Sequence, residues 1–250
     1  MRPLPFVCLV FAACLLTAAD LAGQTSRCAD CHLTNPDTPG QAHVNEWDRS
    51  PHGRANVGCE RCHGGDGGTV EVFRAHREIV PPQNAKSPLN PRNIPTTCGA
   101  CHVGPFVAFQ DSRHNALLDA GDLRGPTCVT CHGDVDSRVL SARSLESKCN
   151  TCHGPNEQQP RANRARTARE LYQGLATVRE HVKQARDLIR RVDDAGRRAR
   201  LTASLEQVNV PLTRAVNAGH QFVYDDLQSY LAQAESRVQA LLAQLANPAR

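Results

Sequence analysis

The sequence predicts a mostly α-helical protein with extensive irregular structure, built in two parts. Cysteine, glycine and proline are frequent in residues 20–157, where long apolar runs are rare. From residue 161 onward glycine and proline almost disappear, and apolar residues recur at steps of three and four, the spacing of an amphipathic helix. We therefore expect an N-terminal domain of short helices at residues 20–159, followed by a helical hairpin or bundle at residues 160–250.

Five copies of Cys-x-x-Cys-His mark the N-terminal part. In each copy two thiols can bind one haem through thioether bonds, while the adjacent histidine ligates its iron. The cysteines are Cys28, Cys31, Cys59, Cys62, Cys98, Cys101, Cys128, Cys131, Cys149 and Cys152, and the proximal histidines are His32, His63, His102, His132 and His153. The sequence therefore predicts five covalently bound haem c groups.

Zinc knuckles are the alternative interpretation of these motifs. They also use paired thiolates, but they give no reason for a histidine directly after every second cysteine. The two other cysteines, Cys8 and Cys14, lie in the apolar N-terminal segment. No cysteine is then left for a disulfide framework.

Six histidines lie outside the motifs, one more than five irons need for a second axial ligand. His52 and His114 are the strongest distal candidates, because they end an internal repeat. Residues 47–52 match residues 109–114 at the aromatic, serine and histidine positions, and each copy precedes a Cys-x-x-Cys-His-Gly. The repeat indicates a duplicated haem-binding unit.

The other four histidines rank below this pair. His43 and His76 lie in short helix-compatible stretches between motifs, and the density of iron favours ligation over a surface role. His220 lies on an apolar stripe of the C-terminal part, where it could pack in the core or reach a haem, and we favour ligation. His181 flanks another apolar stripe and ranks last.

The extreme N-terminus, residues 1–19, predicts a secretory signal peptide. Arg2 precedes a nearly uninterrupted apolar run, and small residues occupy positions 17–19. An uncleaved anchor is an alternative, since the uncharged run is at the lower limit of a spanning helix. Residues 11–14 also resemble a lipoprotein box, although Phe11 argues against it. Each option predicts a periplasmic or otherwise exported protein.

Charge and hydropathy also divide the chain. Residues 20–157 hold 13 basic and 16 acidic side chains, a net of −3, whereas residues 161–250 hold 15 and 9, a net of +6. The first part has too few apolar side chains to offset its chain entropy, so porphyrins are expected to form most of its core. Nucleic-acid binding is not expected, because the basic residues lie on helices without interleaved aromatics.

An arginine cluster follows the last motif, and it comprises Arg161, Arg164, Arg166 and Arg169. Arginine pairs well with carboxylates, so the cluster is predicted to seat the helices on the haem propionates. A solvated basic face is the alternative.

The C-terminal part predicts helices from its apolar stripes. The first stripe comprises Leu171, Leu175, Val178, Val182, Ala185, Ile189 and Val192. Gly196 is expected to end that helix as a left-handed cap. A shorter helix follows, and Pro211 is expected to open the last helix, with a stripe through His220 and Val223. The first stripe also permits association of two copies through these helices.

The residues around the fourth motif carry a family resemblance. Residues 125–133 read Gly-Pro-Thr-Cys-Val-Thr-Cys-His-Gly, a Ser-x-His lies upstream, and residues 218–222 read Ala-Gly-His-Gln-Phe. Together they resemble the bacterial multihaem cytochromes c, the group containing cytochrome c3-like, c554-like and NapC/NrfH-like proteins. The resemblance spans residues 28–240 and is tight at the motifs. A histidine common after the motif in such relatives is replaced here by Asp134-Val135-Asp136.

The resemblance implies an electron carrier, not an enzyme, with a redox protein donor and acceptor. A membrane quinol-oxidising complex is the implied donor. Bis-histidine iron has no open position for substrate, which independently favours a carrier. Two alternatives stay open: a reductase of nitrogen or sulfur oxyanions with one open haem, and a redox subunit that docks to a membrane complex through its helical hairpin.

Overall fold

A computed structural model describes residues 26–38, 40–135, 141–154 and 162–247. The predicted signal peptide, the compositional boundary near residues 155–160 and Arg161 lie outside these ranges. The described residues are about 70% helical and contain no strand, so the predicted mostly α class is confirmed. The chain forms two compact units, residues 1–80 and residues 81–250. The domain boundary predicted at residue 159 stays a prediction.

The described residues of the first unit, 26–38 and 40–80, contain five short helices. They are α1 (Arg27–Thr34), α2 (Gln41–Arg49), α3 (Pro51–Arg54), α4 (Glu60–His63) and α5 (Val72–Ala75). Few of their side chains are buried: Ala29 and Val44 are the apolar residues with little exposure in this unit. Hydrogen bonds of side chains to turns and helix ends therefore carry much of the local order.

In the second unit, the described residues before 155 contain five further short helices. They are α6 (Ile94–Gly99), α7 (Val103–Gln110), α8 (Arg113–Asp119), α9 (Cys128–His132) and α10 (Ala142–His153). α9 begins with a capping box, in which Thr127 and Thr130 satisfy each other's backbone amides. Ser141 is the N-cap of α10, and its hydroxyl accepts a hydrogen bond from the Ser144 amide. Such caps set where each motif helix starts.

The internal repeat has a structural basis in helix capping. Ser50 and Ser112 are each buried N-caps, and each hydroxyl accepts a hydrogen bond from the amide three residues later, at 3.0 and 3.1 Å. The aromatic residue of each copy lies in the last turn of the preceding helix. The histidine is the second residue of the following helix. The repeated pattern therefore codes for a helix, a serine cap and a helix that begins with a histidine.

Residues 162–247 form three long helices, α11 (Ala162–Arg190), α12 (Ala195–Gln221) and α13 (Tyr224–Ala246). Their apolar stripes pack against one another in two clusters. The larger contains Val178, Val182, Ala185, Ile189, Leu201, Leu205, Val208, Ala234, Val238 and Leu241, and the smaller Leu175, Ala215, Ala218 and Leu227. The first predicted stripe is therefore buried within one chain. No helix in the described part of the chain has the length and apolar character of a membrane span.

Two predicted helix boundaries in this region are wrong. Gly196 does not end α11 but lies in the first turn of α12, where the Asp194 carboxylate caps the helix by accepting from the Arg197 amide. Pro211 does not open a helix but lies buried inside α12. The break comes instead at Phe222, which adopts a left-handed conformation with φ 62°. The break between the last two helices therefore lies at Phe222, eleven residues after the position expected from Pro211.

Arg237 explains why α12 continues through Pro211. Proline has no amide hydrogen, so the carbonyl oxygen of Gln207, four residues earlier, loses its helical partner. The Arg237 guanidinium of α13 donates to that oxygen at 2.7 Å. A side chain from the neighbouring helix thus replaces the missing backbone bond.

Candidate haem-binding sites

Each Cys-x-x-Cys-His motif lies on or beside a helical turn, which brings its three side chains to one face. The amide of His63 donates to the Cys59 carbonyl at 2.9 Å, and that of His102 donates to the Cys98 carbonyl at 2.9 Å. Residues three and four apart on such a turn are neighbours. The spacing therefore presents both thiols and the imidazole to the same group.

Four motif histidines face a histidine from outside the motifs. In the first unit the ring centroids of His32 and His76 are 6.0 Å apart, and those of His43 and His63 are 5.8 Å apart. In the second unit the pairs are His114 with His153 at 6.1 Å and His132 with His220 at 6.1 Å. Within the described ranges, no group of three or more His, Cys, Asp or Glu side chains could hold a metal ion.

The ring separations fit one metal between two imidazoles. Two metal–nitrogen bonds of about 2.0 Å on opposite sides of a metal, plus roughly 1 Å from each nitrogen to its ring centre, separate the centroids by about 6 Å. The four observed separations of 5.8–6.1 Å agree with this value. The residues present therefore fit bis-histidine haem iron at these four sites.

Hydrogen bonds orient two of the distal rings. The Nδ1 atom of His76 lies 2.9 Å from the Val72 carbonyl oxygen, and Nδ1 of His220 lies 2.8 Å from the Val216 carbonyl oxygen. A carbonyl oxygen can only accept, so Nδ1 is the donor in both contacts. The lone pair of Nε2 is then available to a metal, the usual arrangement in ligating histidines.

Burial favours the neutral, ligating form of three paired histidines. Burial lowers the pKa of His63, and the neighbouring His43 lowers it further. The pKa of His114 is lowered in the same way by burial and by His153. For His220, burial lowers the pKa most, and His132 adds to it. A neutral imidazole is the form that binds metal.

The pair His114 and His153 has polar atoms that the polypeptide does not satisfy. Nδ1 of each ring is buried and has no hydrogen-bond partner among the described residues. Leaving such a group unpaired costs roughly 1–3 kcal/mol. These two nitrogens are therefore a further sign that this pair contacts a group beyond the polypeptide.

Exposed apolar side chains collect beside the same histidines. Phe73 is 88% exposed and Val72 is 60% exposed, although both belong to the turn that leads to His76. Other exposed large apolar residues within three positions of a motif or paired histidine are Leu33, Ile79, Val103 and Leu117. A porphyrin beside each pair would cover such surfaces.

The ten motif cysteines are free thiols. Burial, and secondarily the nearby Cys28, raises the pKa of Cys59 to about 11. The Cys98 thiol is hydrogen-bonded with the Cys128 thiol, and Cys149 lies close enough to Cys131 to raise its pKa, after the larger effect of burial. Successive motifs within a unit therefore have adjacent attachment points: the first with the second, the third with the fourth, and the fourth with the fifth.

The break between α12 and α13 carries residues that sequence reasoning missed. The Phe222 ring meets the His114 ring edge-on at 4.3 Å. Burial raises the pKa of the Tyr224 hydroxyl, and Cys149 and Cys131 contribute, so this hydroxyl lies near the attachment points of the last two motifs. The usable signal was the sequence His-Gln-Phe-Val-Tyr, which places two aromatics directly after a candidate ligand.

Three further histidines lie outside these four pairs. His52 is the second residue of α3, and His102 is the N-cap of α7; they belong to different units, and their ligand roles stay predictions. His181, ranked last, lies 3.1 Å from the Glu235 carboxylate and 3.2 Å from the Gln239 amide, so it links α11 to α13.

The described arginines of the predicted cluster bind protein groups. Arg169 forms an ion pair with Glu146 of α10 at 3.5 Å, Arg166 donates to Asn163, and Arg164 lies over the Tyr224 ring at 5.6 Å. Arg169 thus attaches α11 to the helix of the last motif. A role toward propionates stays a prediction.

Comparisons with known proteins agree with this site chemistry. Residues 13–64 match the family model described as cytochrome c554 and c-prime, and residues 84–154 match the one described as cytochrome c7 and related cytochrome c. The chain is a multihaem c-type cytochrome. Both families support electron transfer in general as its role.

Two curated relatives of the cytochrome are named C-type polyheme cytochrome OmcB, from Geobacter sulfurreducens strains DL-1/KN400 and PCA. Each is 29% identical over 116 residues, which are 43% of this chain and 13% of the relative. The cytochrome thus matches only a small part of these relatives' length. No solved structure matches it at a significant level.

Proposed function

We propose that this cytochrome binds five haem c groups and carries electrons between redox partners outside the cytoplasm. Haem c supplies the one-electron chemistry when bound. The observation that carries the proposal is the pairing of four motif histidines with four histidines from elsewhere in the chain, at 5.8–6.1 Å. A haem iron that bound two histidines in addition to its porphyrin would have no free coordination position for substrate, which favours a carrier over an enzyme.

The adjacency of the motifs supports transfer within each unit. Cys28 lies near Cys59 in the first unit. In the second unit Cys98 contacts Cys128, and Cys131 lies near Cys149. Attachment points that touch would hold neighbouring haems close together, so we propose that transfer within a unit follows the order of the motifs along the chain.

We propose a redox protein donor and acceptor as partners, the donor being a membrane quinol-oxidising complex. The resemblance implies haem attachment after export, and residues 1–19 read as a secretory signal, so we also propose a periplasmic or otherwise exported location. Association of copies through α11–α13 remains a proposal that light scattering would test. The buried stripe of α11 already packs against α12 and α13 of its own chain.

The test is spectroscopic and uses the whole chain, matured in a host that attaches haem c. Intact mass is expected to exceed that of the polypeptide by five haems, and the reduced protein is expected to keep its low-spin spectrum under carbon monoxide. A redox titration then counts the electrons taken up. Fewer haems, or a carbon monoxide or nitrite complex in the parent protein, would contradict the carrier and favour a reductase with an open haem.

A further inference from the structure

The two haem sites of the first unit share their supporting segments. Site 1 comprises the first motif and His76, and site 2 comprises the second motif and His43. The inference below rests on the ligation proposed above. It concerns the segments that hold His43 and His76 in place.

His43 of site 2 depends on the helix of the first motif. It lies on α2, whose first residue is Gln41. The side-chain nitrogen Nε2 of Gln41 lies within hydrogen-bond distance of three acceptors. They are the carbonyl oxygen of His32, the carbonyl oxygen of Asn35 at 2.8 Å and the hydroxyl of Thr38 at 2.7 Å. These acceptors form the end of α1 and the turn behind it. The start of α2 is therefore fixed to the segment that follows the motif of site 1.

His76 of site 1 depends on the loop behind the second motif. The Asp66 amide donates to the Ala75 carbonyl at 3.0 Å, and the Asp66 carboxylate pairs with Arg74 at 3.6 Å. Gly65 has φ +87°, and a Cβ there would overlap the Ala75 carbonyl oxygen and approach the Ile79 side chain to 3.1 Å. The loop and the turn carrying His76 are thus in direct backbone contact.

We infer that these sites are reciprocally supported: each distal histidine is held by the segment that follows the other site's motif. Gln41 and Gly65 are positioning residues in this arrangement: Gln41 contacts His32 at its backbone carbonyl and not at its ring, and Gly65 contacts the turn that carries His76. The second unit offers a contrast. His220 lies on α12, which is fixed by an apolar core of its own.

A pair of adjacent glycines tests the inference at site 1. Gly65→Ala is expected to push the loop away from Ala75, displace His76 and open site 1. Gly64→Ala is the matched control: its φ of +77° imposes similar backbone strain, but its Cβ would lie 3.6 Å from the nearest atom, an ordinary contact. Both variants keep every cysteine and histidine.

Carbon monoxide binding to the reduced full-length protein is the readout, alongside haem content and the electron paramagnetic resonance spectrum. Gly65→Ala is expected to gain one carbon monoxide site with the spectrum of His76→Ala, whereas Gly64→Ala gains none. Arg74→Gln removes the ion pair without adding an atom and is expected to open the same site in a smaller fraction of molecules. Arg74→Gln tests the same contact if Gly65→Ala does not fold and take up its haems.

The reciprocal half uses Gln41→Ala, which is expected to open site 2 with the spectrum of His43→Ala. Asn45→Ala is its control, since that amide donates only within α2, to the Gln41 carbonyl. The inference would be overturned if Gly65→Ala, Arg74→Gln and Gln41→Ala all failed to bind carbon monoxide. It would also be overturned if Gly65→Ala opened site 2 or Gln41→Ala opened site 1. Carbon monoxide bound by the parent protein at site 1 or site 2, recognised by the spectrum of His76→Ala or His43→Ala, would contradict the ligation itself, a result distinct from failure of the reciprocal support.

Discussion

The three-helix region, residues 162–247, and the motif-bearing region, residues 26–154, differ in how far they bury their apolar side chains. In α11–α13 the large apolar side chains pack on one another, and Val210 is the main exposed exception. In residues 26–154 large apolar side chains such as Phe73 stay exposed beside paired histidines. The comparison teaches that the first region carries its own core, whereas the second needs a core supplied by its cofactor.

The largest expected effect comes from preventing haem attachment throughout. In protein expressed without the maturation machinery, residues 26–154 are expected to lose protection against amide hydrogen exchange almost completely. Residues 171–245 are expected to retain it, because a helical core of this kind does not require haem. Exchange followed by mass spectrometry resolves the two regions. Equal protection in both regions would show that the motif-bearing region also folds without haem.

A single distal ligand is expected to give the next largest effect. His220→Ala removes the partner of His132 and is expected to create one carbon monoxide site in the reduced protein, with little loss of helical content, because the apolar clusters remain. His181→Ala is the matched control, another histidine of the same helices. It is expected to bind no carbon monoxide and to lower the unfolding free energy by under about 1 kcal/mol, since its partner Glu235 is partly exposed.

Phe222 connects the two regions, because it belongs to the helical region but contacts His114, a proposed ligand of the motif-bearing region. The left-handed conformation of a bulky residue costs about 1–2 kcal/mol of folding free energy. Phe222 adopts it at the position where its ring contacts the His114 ring. Phe222→Gly is expected to change the resonance signal and potential of the His114–His153 site while those of the His132–His220 site stay the same. The relief of strain offsets much of the lost contact, so stability changes little.

Phe222→Tyr is the control for that variant, because it keeps the ring and is expected to keep the signal. An unchanged His114–His153 signal in Phe222→Gly would show that the ring does not position His114. A change shared by both sites would indicate a general loosening instead.

Sequence reasoning was most successful where chemistry is local. The apolar stripes could be predicted because helical spacing is regular, and α11–α13 bury them. The motif spacing predicts both thiols and the histidine on one helical turn, and their haem-binding role stays a prediction. Which distal histidine faces which motif could not be predicted. His114 faces His153 and not His132, which is nearer in sequence, because the tertiary fold decides which rings come together.

Helix boundaries failed for a related reason. Gly196 and Pro211 are strong local signals, and both were overruled by neighbours: Gly196 by the Asp194 cap, and Pro211 by a side chain 26 positions later. The left-handed Phe222 had no local signal at all, since such a conformation is uncommon for an aromatic residue.

The smallest expected effect concerns Arg237 and the self-sufficiency of the helical region. Arg237→Ala leaves the Gln207 carbonyl without its donor and is expected to lower the free energy of unfolding by about 1 kcal/mol. In a Pro211→Ala background residue 211 regains an amide hydrogen that can satisfy that carbonyl, so the same change is expected to cost less. A double-mutant cycle from urea unfolding measures the difference. Equal costs in both backgrounds would mean that the proline is tolerated for another reason, such as the burial of its ring among the three helices.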